Sequence, residues 1–214
     1  MSFLGIKGTK DWTKWWENRE MNWEKDYSAT WNHPHRNIIS QFLHLIPWMS
    51  LLEVGCGSGP NLINILKTHK GKQVGGIDPS ESAIVAAQKN FQNGVFNVGS
   101  GDDIFMSDSS VDVILTDMVL IYVSPKDIER YLNEMKRVAR EYVILCELHH
   151  DSWIQRLKLK RFGRGYNAHN YRKLLDKLGF YDIMDYKLKE EDWPGGEPQK
   201  TYGHIFLARV PKRK

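Results

Sequence analysis

Glu53, Gly55, Gly57 and Gly59 stand at alternate positions in LLEVGCGSGPN, directly behind a short apolar run. Glycines so spaced let the backbone pass close to a ligand and turn its N–H groups outward, which suits a nucleotide held at the start of a helix. A dinucleotide fingerprint would need a glycine at position 60, where Pro60 stands, and a phosphate loop would need a Gly-Lys-Ser/Thr ending that this stretch lacks. Asp78 ends the next apolar run, in GGIDPS. From that place a carboxylate accepts hydrogen bonds from both hydroxyls of a ribose. Together the two features fit a nucleoside better than a dinucleotide.

Further along, ELHHD puts Glu147 and His149 on one side of an extended chain, an arrangement for a base oriented by a carboxylate. Ligands that run on in a strand end rarely converge on one ion, so no metal is expected at Glu147, His149, His150 and Asp151. Cys56 and Cys146 support neither a disulfide framework nor a cysteine zinc site, and Cys146 reads as core. The stretch RLKLKRFGRG gathers Arg156, Lys158, Lys160, Arg161 and Arg164, either as a solvated basic loop or as a contact for an anionic substrate. Trp12, Trp15, Trp16, Trp23 and Trp31 either pack a terminal helix or wall a site, and Tyr27 and Trp31 are the two expected nearest an acceptor.

These groups need a scaffold, and the chain's 214 residues, 41% of them hydrophobic, suit one α/β domain with a core. A net charge of +4 is too small to imply a nucleic-acid partner unless it clusters. No stretch approaches the roughly 18 apolar residues that a bilayer span needs, and MSFLGIKGTK has no signal-peptide core, so a cytoplasmic protein without membrane insertion is expected. Strand-like runs SLLEVG, KQVGGID, GVFNVG, VDVILTD and YVILCEL alternate with helical periods, the pattern of a parallel sheet covered on both faces. Pro34 opens a helix before the first strand, Ser80 caps another, and Ser124 and Pro125 open a third. The segment 151–166 is read as irregular, Asn167 as the start of the helix that Gly179 ends, and YDIMDYKLK and YGHIFLARV as the last strands.

LLEVGCGSGPN, GGIDPSESAI and VGSGDDIFMSDSSVDVILTDMVLIYVSP together resemble the class I S-adenosylmethionine-dependent methyltransferases, over about residues 33–209. The resemblance implies a Rossmann-like, doubly wound sheet of seven strands, mostly parallel with the last antiparallel. It divides the chain into a Trp-rich lid segment, 1–32, and a methyltransferase domain, 33–214. It implies S-adenosylmethionine as cofactor and S-adenosylhomocysteine as product. Glu53, Gly55, Cys56, Gly57 and Asn61 would hold its methionine and ribose portion; Arg36 either meets its carboxylate or is a solvated first-turn residue of a helix that His33 caps. Asp78 would take the ribose hydroxyls and Pro79 the adenine, with Ser100, Gly101 or Asp102 near the adenine amino group. Thr116, Asp117 and Met118 would border the methyl group, and Tyr122 would face the acceptor. Ser100 and Gly101 replace the Asp-Ala pair of many members, which leaves open whether Ser100 or Asp102 meets the amino group. TDMVLIY replaces the Asn/Asp-Pro-Pro-Tyr of enzymes that methylate adenine or glutamine amino groups. The expected reaction is methylation of a small molecule at oxygen, with His149 as the base and Glu147 or Asp117 as the second candidate. An RNA or protein acceptor held by residues 156–164, or a cofactor-binding protein without turnover, are the alternatives.

Overall fold

The computed structural model describes residues 12–19, 21–23, 25, 31–163 and 165–212. Their elements are α1 (Trp12–Glu17), α2 (Pro34–His44), β1 (Ser50–Val54), α3 (Pro60–Thr68), β2 (Gln73–Asp78), α4 (Glu81–Asn90), β3 (Val95–Val98), β4 (Val111–Asp117), α5 (Ile128–Val138), β5 (Ala139–Leu148), α6 (Trp153–Phe162), α7 (Tyr171–Lys177), β6 (Tyr181–Lys187), α8 (Gln199–Tyr202) and β7 (Gly203–Arg209). Among the described residues no helix is long and apolar enough to cross a membrane.

The seven strands form one sheet in the order β3-β2-β1-β4-β5-β7-β6. Pairing is parallel from β3 through β5, and β7 runs antiparallel to both its neighbours. This is a doubly wound, Rossmann-like α/β sheet. The chain order reverses between β1 and β4, the switch point at whose carboxyl edge such sheets bind ligands.

Strand alternation divides the core into two layers. Leu51, Val113, Leu115, Ile144, Cys146, Ile205 and Leu207 face one way, against Ile39 and Leu43 of α2, Leu62 and Ile65 of α3, and Ile84 and Ala87 of α4. Leu52, Val54, Ile114, Val143, Leu145 and Phe206 face the other, against Leu132, Met135 and Val138 of α5 and Leu175 of α7. The same alternation turns Glu53 and Asp117 toward the α2–α3 side, whereas Thr116 and Glu147 take the α5 side.

Local signals account for most helix ends. Pro34 and Pro60 sit in first turns, where a missing N–H costs nothing, and Ser80 Oγ accepts from Ala83 N at 3.4 Å. Three expectations are corrected. Residues 153–162 are not irregular but helical. Leu, Arg, Lys and Gln supply good helix propensity there, while Leu159 alone is buried and Trp153, Ile154 and Leu157 point outward, so no single apolar stripe marks the helix. Asn170, rather than Asn167, caps α7, its side chain accepting from Lys173 N at 3.0 Å. Asn167 is engaged elsewhere, its N–H donating to Ile121 O at 2.8 Å. Ser124 and Pro125 likewise form a turn ahead of α5, with Ile128 N donating to Ser124 O at 3.1 Å.

Leu132 is wholly buried between α5 and the sheet. Leu132→Ala is expected to cost about 2–5 kcal/mol in denaturant unfolding, through lost transfer energy and the cavity left behind. Exposed Asn133→Ala, one residue on, is expected to stay within about 0.5 kcal/mol of the parent.

Candidate functional site

The glycine turn after β1 uses conformations closed to most side chains. Gly55, Gly57 and Gly59 have φ of 72°, 53° and 85°. A Cβ at Gly55 would come within 2.3 Å of Val119, and one at Gly59 within 2.5 Å of Phe91, so both positions also lack the room. The turn is tied to the end of β2. Gly57 N donates to Asp78 Oδ2 at 2.9 Å, and Ser80 N donates to Asp78 Oδ1 at 2.9 Å. Burial raises the pKa of Asp78, opposed by these two N–H bonds.

A cavity of about 270 Å³ opens beside this turn. Gly55, Gly57, Asp78 and Pro79 form one part of its wall, Gly99, Ser100 and Gly101 a second, and Asp117 and Met118 a third, with Arg36 of α2 alongside. Aromatic rings complete it: Trp12, Trp16, Trp23, Tyr122, Tyr131 and Trp193. Trp12 and Trp16 of α1 lie 4.9 and 5.6 Å from the Tyr122 ring, centroid to centroid. Trp23 is pinned by its indole N–H, which donates to Ser82 Oγ at 2.8 Å.

Asp117, at the end of β4, gathers the polar floor. Its Oδ2 lies 2.9 Å from His35 Nε2, 3.1 Å from Arg36 Nη1 and 3.0 Å from Asn61 Nδ2. Asn61 also accepts from Arg36 at 2.5 Å and donates to Glu53 Oε1 at 2.6 Å. Burial alone would raise the Asp117 pKa, but His35, Arg36 and Asn61 together hold it well below the usual carboxylate range. Glu53 goes the other way: burial pushes it up to about 8 against its bond to Asn61, with the Asp117 charge adding to the rise. Burial also lowers the pKa of His35. A neutral His35 must then donate through Nε2, because the carboxylate can only accept, which leaves its Nδ1 to accept from His33 Nδ1 at 2.7 Å. Trp193, in the loop between β6 and β7, stacks on the His35 ring at 3.9 Å.

Of the residues singled out in the sequence, Arg36, Gly55, Gly57, Asp78, Pro79, Ser100, Gly101, Asp117, Met118 and Tyr122 line the cavity. Glu53, Cys56, Asn61 and Thr116 are buried behind it. Asp102 does not line it; its carboxylate accepts from Ser100 Oγ and pairs with Arg130. Ser100 Oγ is also 3.2 Å from Tyr131 OH. Trp31 is half-buried away from the wall, and Tyr27 lies outside the described residues.

The expected pair of His149 and Glu147 does not reach the cavity. Glu147 is fully buried on the α5 side, its Oε1 accepting from Val119 N and Leu120 N at 3.0 and 3.1 Å. His149 Nδ1 accepts from Tyr171 N at 3.1 Å, and burial lowers its pKa to about 4. Both carry out structural work on neighbouring backbone. The sequence reading missed Tyr131, Gly99, Trp193 and the contact role of His35. HPHR was noted for Arg36, but nothing local tells that a loop 158 positions further on brings an indole onto His35.

Residues 51–142 match the family model described as a methyltransferase domain. The ribosomal protein L11 methyltransferase of a Nitratiruptor species is 30% identical over 138 residues, which cover 55% of this chain and 48% of that protein, so the chain spans about half the length of this relative. Among solved structures, a chain in the complex between the Haloferax volcanii Trm112 methyltransferase activator and a methyltransferase superposes with a TM-score of 0.70, at 15% identity, covering 90% of this chain and 95% of that one. Magnesium protoporphyrin IX methyltransferase from Synechocystis PCC 6803, crystallised with bound SAM, superposes with a TM-score of 0.61, at 16% identity over 94% of this chain and 89% of its own. At such identities the two structural likenesses establish the fold.

The buried carboxyls make stability depend on pH. Glu53 and Glu147 both have folded pKa values raised from 4.5 to about 8, by burial first. Protons that the unfolded chain releases near pH 4.5 stay bound in the native state, so this contribution is complete below that pH and is lost as pH rises through about 8. Glu147→Gln keeps an oxygen for the Val119 and Leu120 N–H groups and removes one titration. Denaturant unfolding between pH 5 and 8 should therefore show a shallower loss of stability with pH in Glu147→Gln than in the parent.

Proposed function

With residues 51–142 as a methyltransferase domain, we propose that the chain is an S-adenosylmethionine-dependent methyltransferase whose acceptor is a small molecule with an aromatic or apolar body, methylated at oxygen. The observation that carries this reading is the joint wall of the cavity: a glycine turn bonded to Asp78 on one side and a set of aromatic rings on the other.

The residues present fit the cofactor. Asp78 would take the ribose hydroxyls, and Pro79, Ser100 and Gly101 would border the adenine. A Cβ at Gly101 would come within 2.7 Å of Val54 and 3.1 Å of Tyr131, so the wall there admits no side chain. Asp117 Oδ1 is buried without a hydrogen-bond partner in a residue that lines the cavity, a place for the ammonium of the methionine portion. Arg36 beside it would meet the carboxylate. When bound, S-adenosylmethionine supplies a methyl group on a sulfonium that departs as a neutral thioether.

The chain's own contribution is alignment and exclusion of water. Aligning the acceptor with the methyl group is worth roughly 7–11 kcal/mol of the barrier. Trp12, Trp16 and Tyr122 form the apolar wall that excludes water and can face a cation. Among the described cavity residues the two carboxylates, Asp78 and Asp117, are both engaged by the cofactor in this reading, so neither is left to take a proton from the acceptor. That favours a phenol-type hydroxyl, with a pKa of about 10, over an alcohol. A second reading, with a protein acceptor, is favoured by the 30% identity to a ribosomal protein L11 methyltransferase. Incubation with methyl-labelled cofactor and fractionated cell extract separates the two: label in small molecules supports the first, label in protein the second.

Asp78→Ala is expected to weaken S-adenosylhomocysteine binding by about 1.5–3 kcal/mol in calorimetry, the loss of hydrogen bonds to a charged group. Unchanged affinity would remove the ribose role. Tyr122→Ala, on the aromatic side, is expected to raise KM for the acceptor several-fold while leaving cofactor affinity near the parent value; equal losses of both would place Tyr122 at the cofactor instead.

A further inference from the structure

The helix α6 is turned outward in a way its buried neighbours do not require. Trp153, Ile154, Leu157 and Phe162 are 65%, 49%, 55% and 79% exposed, while Leu159 holds the inner face. Residues four apart are neighbours on a helix surface, so two adjacent rows emerge, Trp153–Leu157–Arg161 and Ile154–Lys158–Phe162, each of two apolar side chains and one cation. The ten residues WIQRLKLKRF contain four basic side chains and no acidic one. Leu159 packs with Ile121 and Ala168, and Met118 and Tyr122 of the cavity wall pack against the same cluster. The helix therefore sits one layer of side chains from the site.

We propose that α6 docks on an anionic lipid surface, with Trp153, Ile154, Leu157 and Phe162 entering the headgroup boundary and Lys158, Lys160 and Arg161 meeting lipid phosphates and carboxylates. Outward tryptophan, phenylalanine and leucine stand beside lysine and arginine on one short helix, so that apolar burial at a headgroup boundary and attraction to anionic lipid would add. The charge complementarity selects an acidic surface, and the spread of the apolar groups selects a lipid one. A cavity of about 660 Å³ lies along one flank of α6, between Trp153, Leu157 and Lys160 and the residues Pro125, Ile128 and Lys173. An acidic peptide seated there would cover Trp153 and Leu157 but leave Ile154 and Phe162, which do not line that cavity, in water. A deformable bilayer surface covers both rows together.

The test is co-sedimentation of the 214-residue chain with vesicles of phosphatidylcholine alone and of phosphatidylcholine containing about one third phosphatidylserine. Binding to the second and not the first is expected, with at least about a tenfold loss of partitioning in Lys158→Glu/Lys160→Glu/Arg161→Glu and again in Trp153→Ser/Leu157→Ser. These side chains are exposed, so both variants are expected to unfold at the parent's denaturant midpoint. Equal binding to both vesicle types, no binding to either, or anionic binding unchanged in both variants overturns the proposal. Saturable binding of polyglutamate or of an RNA oligonucleotide that the charge reversal abolishes, without vesicle binding, also overturns it and assigns the surface to an acidic protein segment or to nucleic acid.

Discussion

One buried carboxylate organises the site. Asp117 ends β4 at the switch point of the sheet and accepts from His35 and Arg36 of α2 and from Asn61 of α3. An ionised carboxylate at that depth is tolerable only because three donors, one of them a guanidinium, surround it. The helix that precedes the sheet, the helix that follows the glycine turn and the strand beside that turn are thereby held in one relation. The cavity wall inherits that relation, since Arg36 and Asp117 line it directly and Asn61 supports it from behind.

A contrast between two carboxyls follows from this arrangement. Glu53 and Asp117 face the same side of the sheet and are both linked to Asn61. Asp117 takes the cation and the histidine, so its charge is stabilised; Glu53 receives the amide alone and burial drives it toward the neutral form near pH 7. Two neighbouring acids thus end in opposite protonation states by environment alone, which keeps the net charge of a buried polar cluster low. Glu147, across the sheet, is raised by the same burial although two backbone N–H groups donate to it.

The aromatic side of the cavity is assembled from distant parts of the chain. Trp12 and Trp16 arrive from the first described helix, Tyr122 from the turn after β4, and Trp193 from the loop joining β6 and β7. Trp193 closes on His35 by stacking, so the loop at one end of the sheet is tied to the helix that carries Arg36. Large rings do this at low entropic cost, because two torsions fix a broad apolar surface.

Features carried by contiguous residues were legible in the sequence. The strands from SLLEVG to YGHIFLARV, the turn glycines and Asp78 follow from short apolar runs and from backbone chemistry within a few residues, and the resemblance of three motifs supplied the topology. Helix α6 escaped because its apolar groups point outward, where no core imposes a stripe. Glu147 and His149 show a different limit. Alternation places them on one side of β5, but tertiary partners decide what they do: backbone N–H groups of Val119, Leu120 and Tyr171 consume their acceptor atoms. Spacing along a chain determines which side chains share a face. Only the packed structure determines which of them find a hydrogen-bond partner first, because that depends on groups as remote as residues 35, 117 and 193 meeting at one point.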